Sequence, residues 1–366
     1  NMETSFIFKE FLERTIGSKK YDFRSTKNFI DHSLRENYLF NSSINGIEDA
    51  DFILLVGTNP RLEATILNLR IRKAYLKNNI KIYSVGNPGD LTYPYINIGS
   101  STKIIKEIVS NNNKISEILK KSKKPLVIIG ESALYGKAGQ YIFESLKDFL
   151  LKNNFIKKDW NALNILSQQA SRVGSIDLGI HSIDDKNNFS FFDKLDNNEF
   201  KFVYLLGSDN FNFSKEGKFI VYQGSHGDKG AEIADIILPS AAYTEQNGYY
   251  TNLEGKMQKA YKASYPPGEA KEDWNIFNEI SEHLNNKKLF KDYDELESSM
   301  LNYLNLFYEN DLSIKPTSID NLNFIKESIN LANSDYYYSN VISRSSKTMS
   351  DCRNMKLNIK QTGTEG

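Results

Sequence analysis

The sequence contains a single cysteine, Cys352, among its 366 residues, and this scarcity excludes two kinds of site. One thiol cannot form an intrachain disulfide, and it cannot supply the several thiolates that an iron-sulfur cluster or a structural zinc site requires. The four histidines, His32, His181, His226 and His283, share no spacing typical of a metal site. We therefore expect this chain to hold no metal centre by itself.

The chain also lacks net charge and long apolar runs. Lys and Arg together number 46, as do Asp and Glu, so no overall field favours nucleic acid or an anionic membrane as a partner. No window approaches the roughly twenty apolar residues of a spanning helix, and the amino end lacks a secretory signal pattern. We expect no nucleic-acid partner, no membrane span and a reducing compartment. Asn1 precedes Met2, which is not an ordinary start, so the chain could be processed or split, with sequence missing upstream.

Short apolar runs rich in β-branched residues, each closed by Gly or Pro, predict buried strands. These runs are Phe52–Gly57, Ile80–Gly86, Pro125–Gly130, Lys201–Gly207, Phe219–Gly224 and Ala234–Pro239. Helical spacing predicts helices over Leu62–Lys77, Ile104–Leu119, Gln140–Leu151, Trp160–Val173, Trp274–Leu284, Leu296–Leu306 and Ile319–Leu331. The alternation of strands and helices predicts an α/β protein with doubly wound parallel sheets.

Two segments of the sequence resemble each other, and we call this similarity the internal echo. Residues 51–59 (DFILLVGTN) and 201–209 (KFVYLLGSD) match in type at nearly every position, which indicates either two similar α/β units or the common pattern of any buried parallel strand followed by a polar turn. We predict a lead-in segment over residues 1–50, a first α/β unit over 51–120, a second over 121–290, and a helical extension with a polar tail over 291–366.

Two turns that follow predicted strands carry the candidate site residues. Gly57, Asn59 and Arg61 lie where a doubly wound sheet binds ligands, and Arg61 with the helix-start amides could meet a phosphate. The turn lacks the G-x-G-x-x-G fingerprint, and the favoured interpretation is a strand-to-helix connection in which Asn59 caps a helix that starts at Pro60.

The second turn, Gly224–Gly230, contains His226 and Asp228 between glycines, which invites an acid-base role. A working triad would need a nucleophile placed apart from the histidine, whereas Ser225 is its direct neighbour and lies on no elbow motif. A flexible turn at a strand end is the favoured interpretation.

A long polar segment without regular pattern follows the strand at Ala234, and such segments are usually functional or tightly packed. Its residues carry a resemblance: ADIILP at 234–239, Glu245, TNLEGKMQ at 251–258 and EDWNIF at 272–277 resemble the closing signature of the molybdopterin oxidoreductase superfamily. ADFILLVGTNP at 50–60 resembles an earlier domain of the same superfamily.

Further stretches narrow the resemblance to the large iron-sulfur subunits of respiratory complex I, the 75 kDa or G-type family. They are LRENYL at 34–39, RIRKAYL at 70–76, DLTYPY at 90–95, YQGSHGD at 222–228 and SRSSKTM at 343–349. The resemblance spans about residues 34–352. It implies two Rossmann-like units of the molybdopterin oxidoreductase type, plus a helical and irregular carboxyl-terminal extension.

The resemblance also implies a role. The chain would be the carboxyl-terminal, non-catalytic half of the subunit, in the peripheral arm that passes electrons from NADH to quinone. The iron-sulfur clusters would lie in an upstream half or in a partner chain, and the partners would be other arm subunits, including that cluster-bearing half and the flavin-bearing subunit. The location would be the matrix side of the mitochondrial inner membrane, or the cytoplasmic side of a bacterial inner membrane.

Two alternatives remain: an active molybdopterin-dependent oxidoreductase domain, and an unrelated nucleotide-binding α/β protein that uses the turns at Gly57 and Gly207. Against the first, the Asp-Pro-Arg turn common in molybdopterin enzymes is replaced by Gly86–Asp90, and no cysteine stands near the amino end. We therefore expect no catalytic residue, and the cofactor-binding candidates are vestigial: Gly57, Asn59, Arg61, Gly224, His226 and Asp228.

Overall fold

The computed structural model describes residues 1–24, 26–181, 190–208, 211, 213–309, 322–332 and 335–358. Its strands are short and mostly buried, as apolar runs of four to six residues favour. In chain order they are β1 (Phe52–Val56), β2 (Lys81–Val85), β3 (Ile96–Asn97), β4 (Pro125–Gly130), β5 (Leu163–Leu166), β6 (Phe202–Leu206), β7 (Phe219–Gly224), β8 (Ile236–Pro239), β9 (Gly248–Thr251) and β10 (Met257–Ala260).

The α-helices of the described residues lie mainly between these strands. They are α1 (Met2–Glu10), α2 (Pro60–Glu63), α3 (Thr65–Asn78), α4 (Thr102–Val109), α5 (Lys114–Lys121), α6 (Glu131–Leu134), α7 (Gly139–Lys152), α8 (Arg172–Asp177), α9 (Ser190–Asp196), α10 (Lys229–Ile233), α11 (Asp273–Asn285), α12 (Tyr293–Glu309), α13 (Val341–Ser345) and α14 (Lys347–Asn358). A π-helix continues α1 over Phe11–Ile16, and 3₁₀ turns lie at Arg35–Asn37, Asn45–Asp49 and Tyr336–Tyr338.

The chain folds into two compact units that interleave along the sequence. The first comprises Asn1–Phe189, Gly248–Ala260 and Lys288–Ala332, and the second comprises Ser190–Asn247, Tyr261–Lys287 and Asn333–Gly366. The four-part division drawn from the sequence stays a prediction.

The first unit is built on a parallel sheet of order β3-β2-β1-β4-β5. Side chains alternate across each strand, so Phe52, Leu54 and Val56 enter one core while Ile53 and Leu55 enter the other. Helices α4, α5 and α7 contribute to the first core, and α3 contributes to the second. Apolar residues therefore cover both faces of the sheet, which confirms the predicted α/β class.

The second unit contains a smaller parallel sheet of order β6-β7-β8, with a core of Leu205, Ile220 and Tyr222. Its first strand repeats a detail of the first unit. Gly57 and Gly207 both adopt a φ of +59°, and their amides donate to Val85 O at 2.9 Å and Gln223 O at 2.8 Å, each on the adjacent parallel strand. The internal echo in the sequence thus corresponds to the same local structure in both units.

All six predicted strands are present, but the predicted burial is wrong for β8, which is mostly exposed, and holds only in part for β6. The helix predicted over Trp160–Val173 is also wrong. Leu163–Leu166 forms β5 and pairs in parallel with β4, and a helix begins only at Arg172. The four residues of β5 are buried on both sides, so no alternation distinguished this strand from a buried helix.

Two further predicted helices differ from the structure. The helix predicted over Ile104–Leu119 is two helices, α4 and α5, because Asn111 has a φ of +62° and Asn113 caps α5. The helix predicted over Ile319–Leu331 is wrong for residues 322–331, where Ile329 N donates to Ser100 O at 2.6 Å in an extended connection; residues 319–321 lie outside the described part.

Candidate functional site

The Gly57–Arg61 turn leaves the carboxyl end of β1. Asn59 caps α2 by accepting a hydrogen bond from Leu62 N at 3.2 Å, and Pro60 occupies the first helical position. The Asn59 side-chain amide donates to Pro88 O at 2.6 Å, while its backbone amide donates to Glu63 at 2.9 Å. The favoured interpretation, a capped strand-to-helix connection, describes this geometry.

The same turn lies at the switch point of the sheet, where the strand order reverses between β1 and β4 and where open α/β sheets bind ligands. Here the backbones meet directly. A methyl group on Gly57 would come within 2.5 Å of Ala133 N, and one on Gly130 would come within 2.5 Å of Thr58 Cβ. The crevice between these two strand ends is therefore filled by the protein's own main chain.

Two acidic side chains, Glu63 and Glu131, lie at this switch point. Burial raises the pKa of Glu63, the nearby Glu131 acts in the same direction, and hydrogen bonds from Asn59 N and Thr58 oppose both. Arg61, the cation expected to meet a phosphate, instead forms an ion pair with Asp90. The positive charge available to an anionic ligand is thus already compensated.

The Gly224–Gly230 turn follows β7 in the second unit. His226 is half-buried, and its Nδ1 lies 3.0 Å from Ser225 Oγ, while its carbonyl accepts a hydrogen bond from the buried Tyr222 hydroxyl at 2.7 Å. Asp228 accepts from Lys229 N at 2.8 Å and caps α10. Arg344 Nε donates to the other oxygen of Asp228 at 2.6 Å.

This pairing joins two stretches on which the resemblance was based, because Arg344 belongs to SRSSKTM and Asp228 ends YQGSHGD. It also engages Asp228 with a guanidinium, so that carboxylate does not orient His226. The structure brings His226 and Asp228 into one turn without the relay that acid-base catalysis uses.

Sequence reasoning missed a buried ionic cluster in the first unit, centred on Asp177. This fully buried carboxylate accepts from Arg35 Nη2 at 3.0 Å, from Tyr38 at 2.8 Å and from Tyr308 at 3.1 Å. Arg35 also donates to Gly255 O at 2.7 Å, in the turn of the β9-β10 hairpin. LRENYL and TNLEGKMQ, more than two hundred residues apart, therefore meet at one guanidinium.

The segment after β8, predicted to be irregular, contains this hairpin as its ordered part. β9 and β10 pair antiparallel, with Thr251 opposite Met257. Glu254 in the turn accepts from Ile44 N at 2.7 Å, and Tyr249 N donates to Glu3 at 2.8 Å. The two strands of this hairpin are close in sequence, so it was in principle predictable. Its turn contains neither Asn-Gly nor Asp-Gly, the dipeptides that usually indicate a hairpin.

Two histidines that share no spacing in sequence are neighbours in space. The rings of His32 and His181 stack with centroids 3.7 Å apart. Burial lowers the pKa of His32 below its ordinary value, and Arg24 acts in the same direction, while Asp31 raises it. Since 149 positions separate the two rings, no local pattern could have indicated this contact.

Further ion pairs surround these rings within the first unit. Lys147 lies 3.1 Å from Asp31 and 3.0 Å from Glu144, and Arg172 lies 3.3 Å from Glu131, all with side chains mostly removed from solvent. Hydrogen bonds from Ser33 and the charge of Lys147 outweigh burial and lower the pKa of Asp31. The charges compensate one another, as buried structural ion pairs must.

Metal ligation is not suggested by the part of the chain that the structure describes, where no group of three or more His, Cys, Asp or Glu side chains is arranged to hold an ion. Cys352 is exposed on α14. Of the helices in the described ranges, none combines the length and the apolar character needed to cross a membrane.

Comparison with known proteins decides the family, since the model of the molybdopterin oxidoreductase family matches residues 1–283. The chain belongs to the molybdopterin oxidoreductase family. It is 38% identical to the mitochondrial NADH-ubiquinone oxidoreductase 78 kDa subunit of Candida albicans, over 95% of this chain and 49% of the relative. Identity to the NADH-ubiquinone oxidoreductase 75 kDa subunit of Reclinomonas americana is 38%, over 98% of this chain and 54% of the relative.

A bacterial relative, a subunit of the NADH-quinone oxidoreductase of Rickettsia bellii, is 37% identical over 99% of this chain and 52% of its own length. The chain thus spans about half the length of these curated relatives. Among solved structures, a chain of the formyltransferase/hydrolase complex of Methylorubrum extorquens overlays with a TM-score of 0.48 at 11% identity, covering 77% of this chain and 82% of that one, which is too distant to bear on function.

Proposed function

We propose that this chain is a structural, non-catalytic part of the peripheral arm of respiratory complex I, which supports electron transfer from NADH to quinone without carrying electrons itself. The observation that supports it most is the 37–38% identity to complex I subunits over 95–99% of the chain. The iron-sulfur clusters would lie in an upstream half or a partner chain, because Cys352 alone cannot hold one.

The family also implies a molybdopterin cofactor, which is an anionic ligand. The residues at the switch point do not fit such a group. Arg61 is paired with Asp90, and the backbone amide of Asn59 donates its hydrogen bond to Glu63. The buried Glu131 adds a second carboxylate near that of Glu63. An anion placed here would meet the carboxylates of Glu63 and Glu131 and filled backbone, and the nearby Arg172 is already paired with Glu131 at 3.3 Å. These contacts support a chain that binds no cofactor, and they do not favour an active molybdopterin enzyme.

The proposed partners are other subunits of the arm, among them the cluster-bearing half and the flavin-bearing subunit. The proposed location is the matrix side of the mitochondrial inner membrane, or the cytoplasmic side of a bacterial inner membrane. Buried ion pairs such as Arg35–Asp177 suit a scaffold, since they hold distant segments in one arrangement.

A native gel of solubilised membranes tests the proposal directly. We expect an epitope-tagged chain to migrate in a band of high mass that stains for NADH dehydrogenase activity. Recovery of the chain only as a free monomer would refute it. Elemental analysis of the purified chain separates the alternative, because molybdenum at one atom per chain would favour an active oxidoreductase, whereas we expect essentially none.

A further inference from the structure

Helix α3 has apolar residues on two faces instead of one. Leu67, Ile71 and Ala74 are buried against the sheet, with exposed fractions of 3% or less. A second row, Ile66, Leu69 and Leu76, faces solvent with exposed fractions of 70%, 51% and 70%. Leu62 on the adjoining α2 is 55% exposed.

A helix on the surface of a soluble domain normally places polar residues opposite its buried face. Scattered exposed aliphatics are common, but a row of three on one helix, continued by a fourth on its neighbour, indicates a surface that is covered in the working protein. We call Leu62, Ile66, Leu69 and Leu76 the apolar row.

The same helix carries an unusual charge. It contains Arg70, Arg72, Lys73 and Lys77 and no Asp or Glu, in a chain whose overall charge is zero. Glu48, on the preceding 3₁₀ turn, pairs with Arg70 and with Lys73, the latter at 2.8 Å. Arg72 and Lys77 have no ion pair among the described residues, and together with Leu69, Lys73 and Leu76 they line a shallow depression.

We propose that the apolar row and its flanking cations bind an acidic amphipathic helix of another polypeptide of the assembly. This inference rests on the proposed function, which places the chain inside a multi-subunit complex. Aliphatic side chains of the partner would pack along the row, following i, i+3 and i+4 spacing, and carboxylates at its margin would meet Arg72 and Lys77.

The charge distribution argues against a second copy of this chain as the occupant. In any two-fold pairing of α3 with itself, Arg72 and Lys73, which lie at the middle of the helix, would approach their own counterparts. Like charges placed together at an interface are strongly unfavourable. A membrane surface is also less suitable, because the row contains no Trp or Phe of the kind that anchors interfacial helices, and the other face of α3 is fixed against the sheet.

Site-specific photo-cross-linking within the native assembly tests the inference. A benzoylphenylalanine residue is placed at Leu69 or at Leu76, with Leu306, which is 62% exposed on α12, as a matched control position. We expect cross-links from both test positions to one helical segment that is rich in Asp and Glu and belongs to another subunit. Cross-links to lipid, to a second copy or to a segment without acidic residues would overturn the inference.

The native gel run on the same samples separates the two proposals. If the chain migrates in the high-mass band and neither test position cross-links, the inference fails and the proposed function stands. If the chain never enters that band, the proposed function fails, and this inference fails with it.

Variants supply a second measurement that does not depend on a cross-linker. Arg72→Glu with Lys77→Glu should lower the share of chain in the high-mass band at least about tenfold, because two attractive contacts become repulsive. The control is Lys121→Glu with Lys158→Glu, which makes the same change in charge at exposed positions elsewhere. Equal incorporation of both double variants, with unchanged circular dichroism, would contradict the proposal.

Discussion

At the residue scale, glycine is required where a turn combines a left-handed backbone with a close neighbour. Gly57 and Gly207 offer a natural comparison, since both have a φ of +59° after the first strand of their unit. A methyl group at Gly57 would lie 2.5 Å from Ala133 N, whereas no atom of the described residues lies within 4 Å of one at Gly207. The sequence echo predicts equal roles for the two glycines, and only the structure distinguishes them.

We expect Gly207→Ala to cost about 1–2 kcal/mol, the ordinary penalty for a side chain in the left-handed region. Gly57→Ala should cost at least about 3 kcal/mol in the first unit, because the backbone around Ala133 must also move. Urea unfolding followed by hydrogen exchange, which resolves the two units, measures both. Equal losses would show that the approach to Ala133 carries no strain.

His32 provides a pH dependence at the same scale. Burial lowers its pKa in the folded chain below the ordinary value of 6.5, so the unfolded chain binds the proton more readily. Stability is therefore full above pH 6.5 and falls as the pH drops from there through the lower, folded pKa. Burial and the charge of Arg24 disfavour the proton, and Asp31 favours it.

We expect His32→Gln to flatten the loss of stability as the pH falls below 6.5, the ordinary value, as measured by urea unfolding at a series of pH values. His283→Gln, at an exposed position on α11, is the matched control and should leave the slope unchanged. A slope that is the same in both variants would mean that His32 does not report this titration.

At the scale of elements, the strands were predictable and their partners were not. Six apolar runs closed by Gly or Pro became strands, and four of them, β1, β2, β4 and β7, have the burial that a parallel sheet covered on both faces favours. In contrast, β6 is only partly buried and β8 is mostly exposed. β5 was mistaken for helix, since all four residues of LNIL are buried whichever side they face, and only pairing with β4 identifies the strand. Asn59 as a cap was predictable from local chemistry, whereas the partners of Asp177 come from two distant segments, Arg35 with Tyr38 and Tyr308.

The Asp177 cluster joins segments of the first unit that are distant in sequence. Asp177 is inaccessible to solvent and the Arg35 side chain is 18% exposed, so loss of Arg35 leaves an uncompensated buried carboxylate. We expect Arg35→Met to destabilise the first unit by about 3–5 kcal/mol. Arg35→Met combined with Asp177→Leu should recover part of that loss, since no charge is then left unpaired.

A surface pair calibrates this experiment. Lys271 and Glu279 lie 2.6 Å apart with side chains 49% exposed, and Lys271→Met should change stability by no more than about 1 kcal/mol. A loss for Arg35→Met within the range of that control would mean that the buried pair contributes little. Thermal unfolding followed at several wavelengths is a suitable readout for all three variants.

At the scale of the whole molecule, the two units do not follow the order of the chain. The β9-β10 hairpin, α12 and residues 322–332 belong to the first unit, although they come after most of the second. Their contacts with the amino-terminal part are polar and specific: Tyr249 N donates to Glu3, Tyr308 to Asp177, and Thr102 to Ile325 O at 2.8 Å. Changes in composition along the sequence cannot show that these later segments belong to the first unit, because each segment is short.

This interleaving predicts how the chain responds to cutting. A fragment of residues 1–189 lacks the returning segments, so the carboxylates of Glu3 and Asp177 lose hydrogen-bond donors. Apolar residues such as Phe6, which packs near Phe290 and Tyr303, become exposed. We expect this fragment to bind a hydrophobic dye and to unfold without a sharp transition. A fragment of residues 1–332 omits only part of the second unit and should retain the cooperative unfolding of the first. If residues 1–189 unfolded with the stability of the full chain, the returning segments would be peripheral additions, and the contacts of Tyr308 with Asp177 and of Gly255 with Arg35 would contribute negligibly to the first unit.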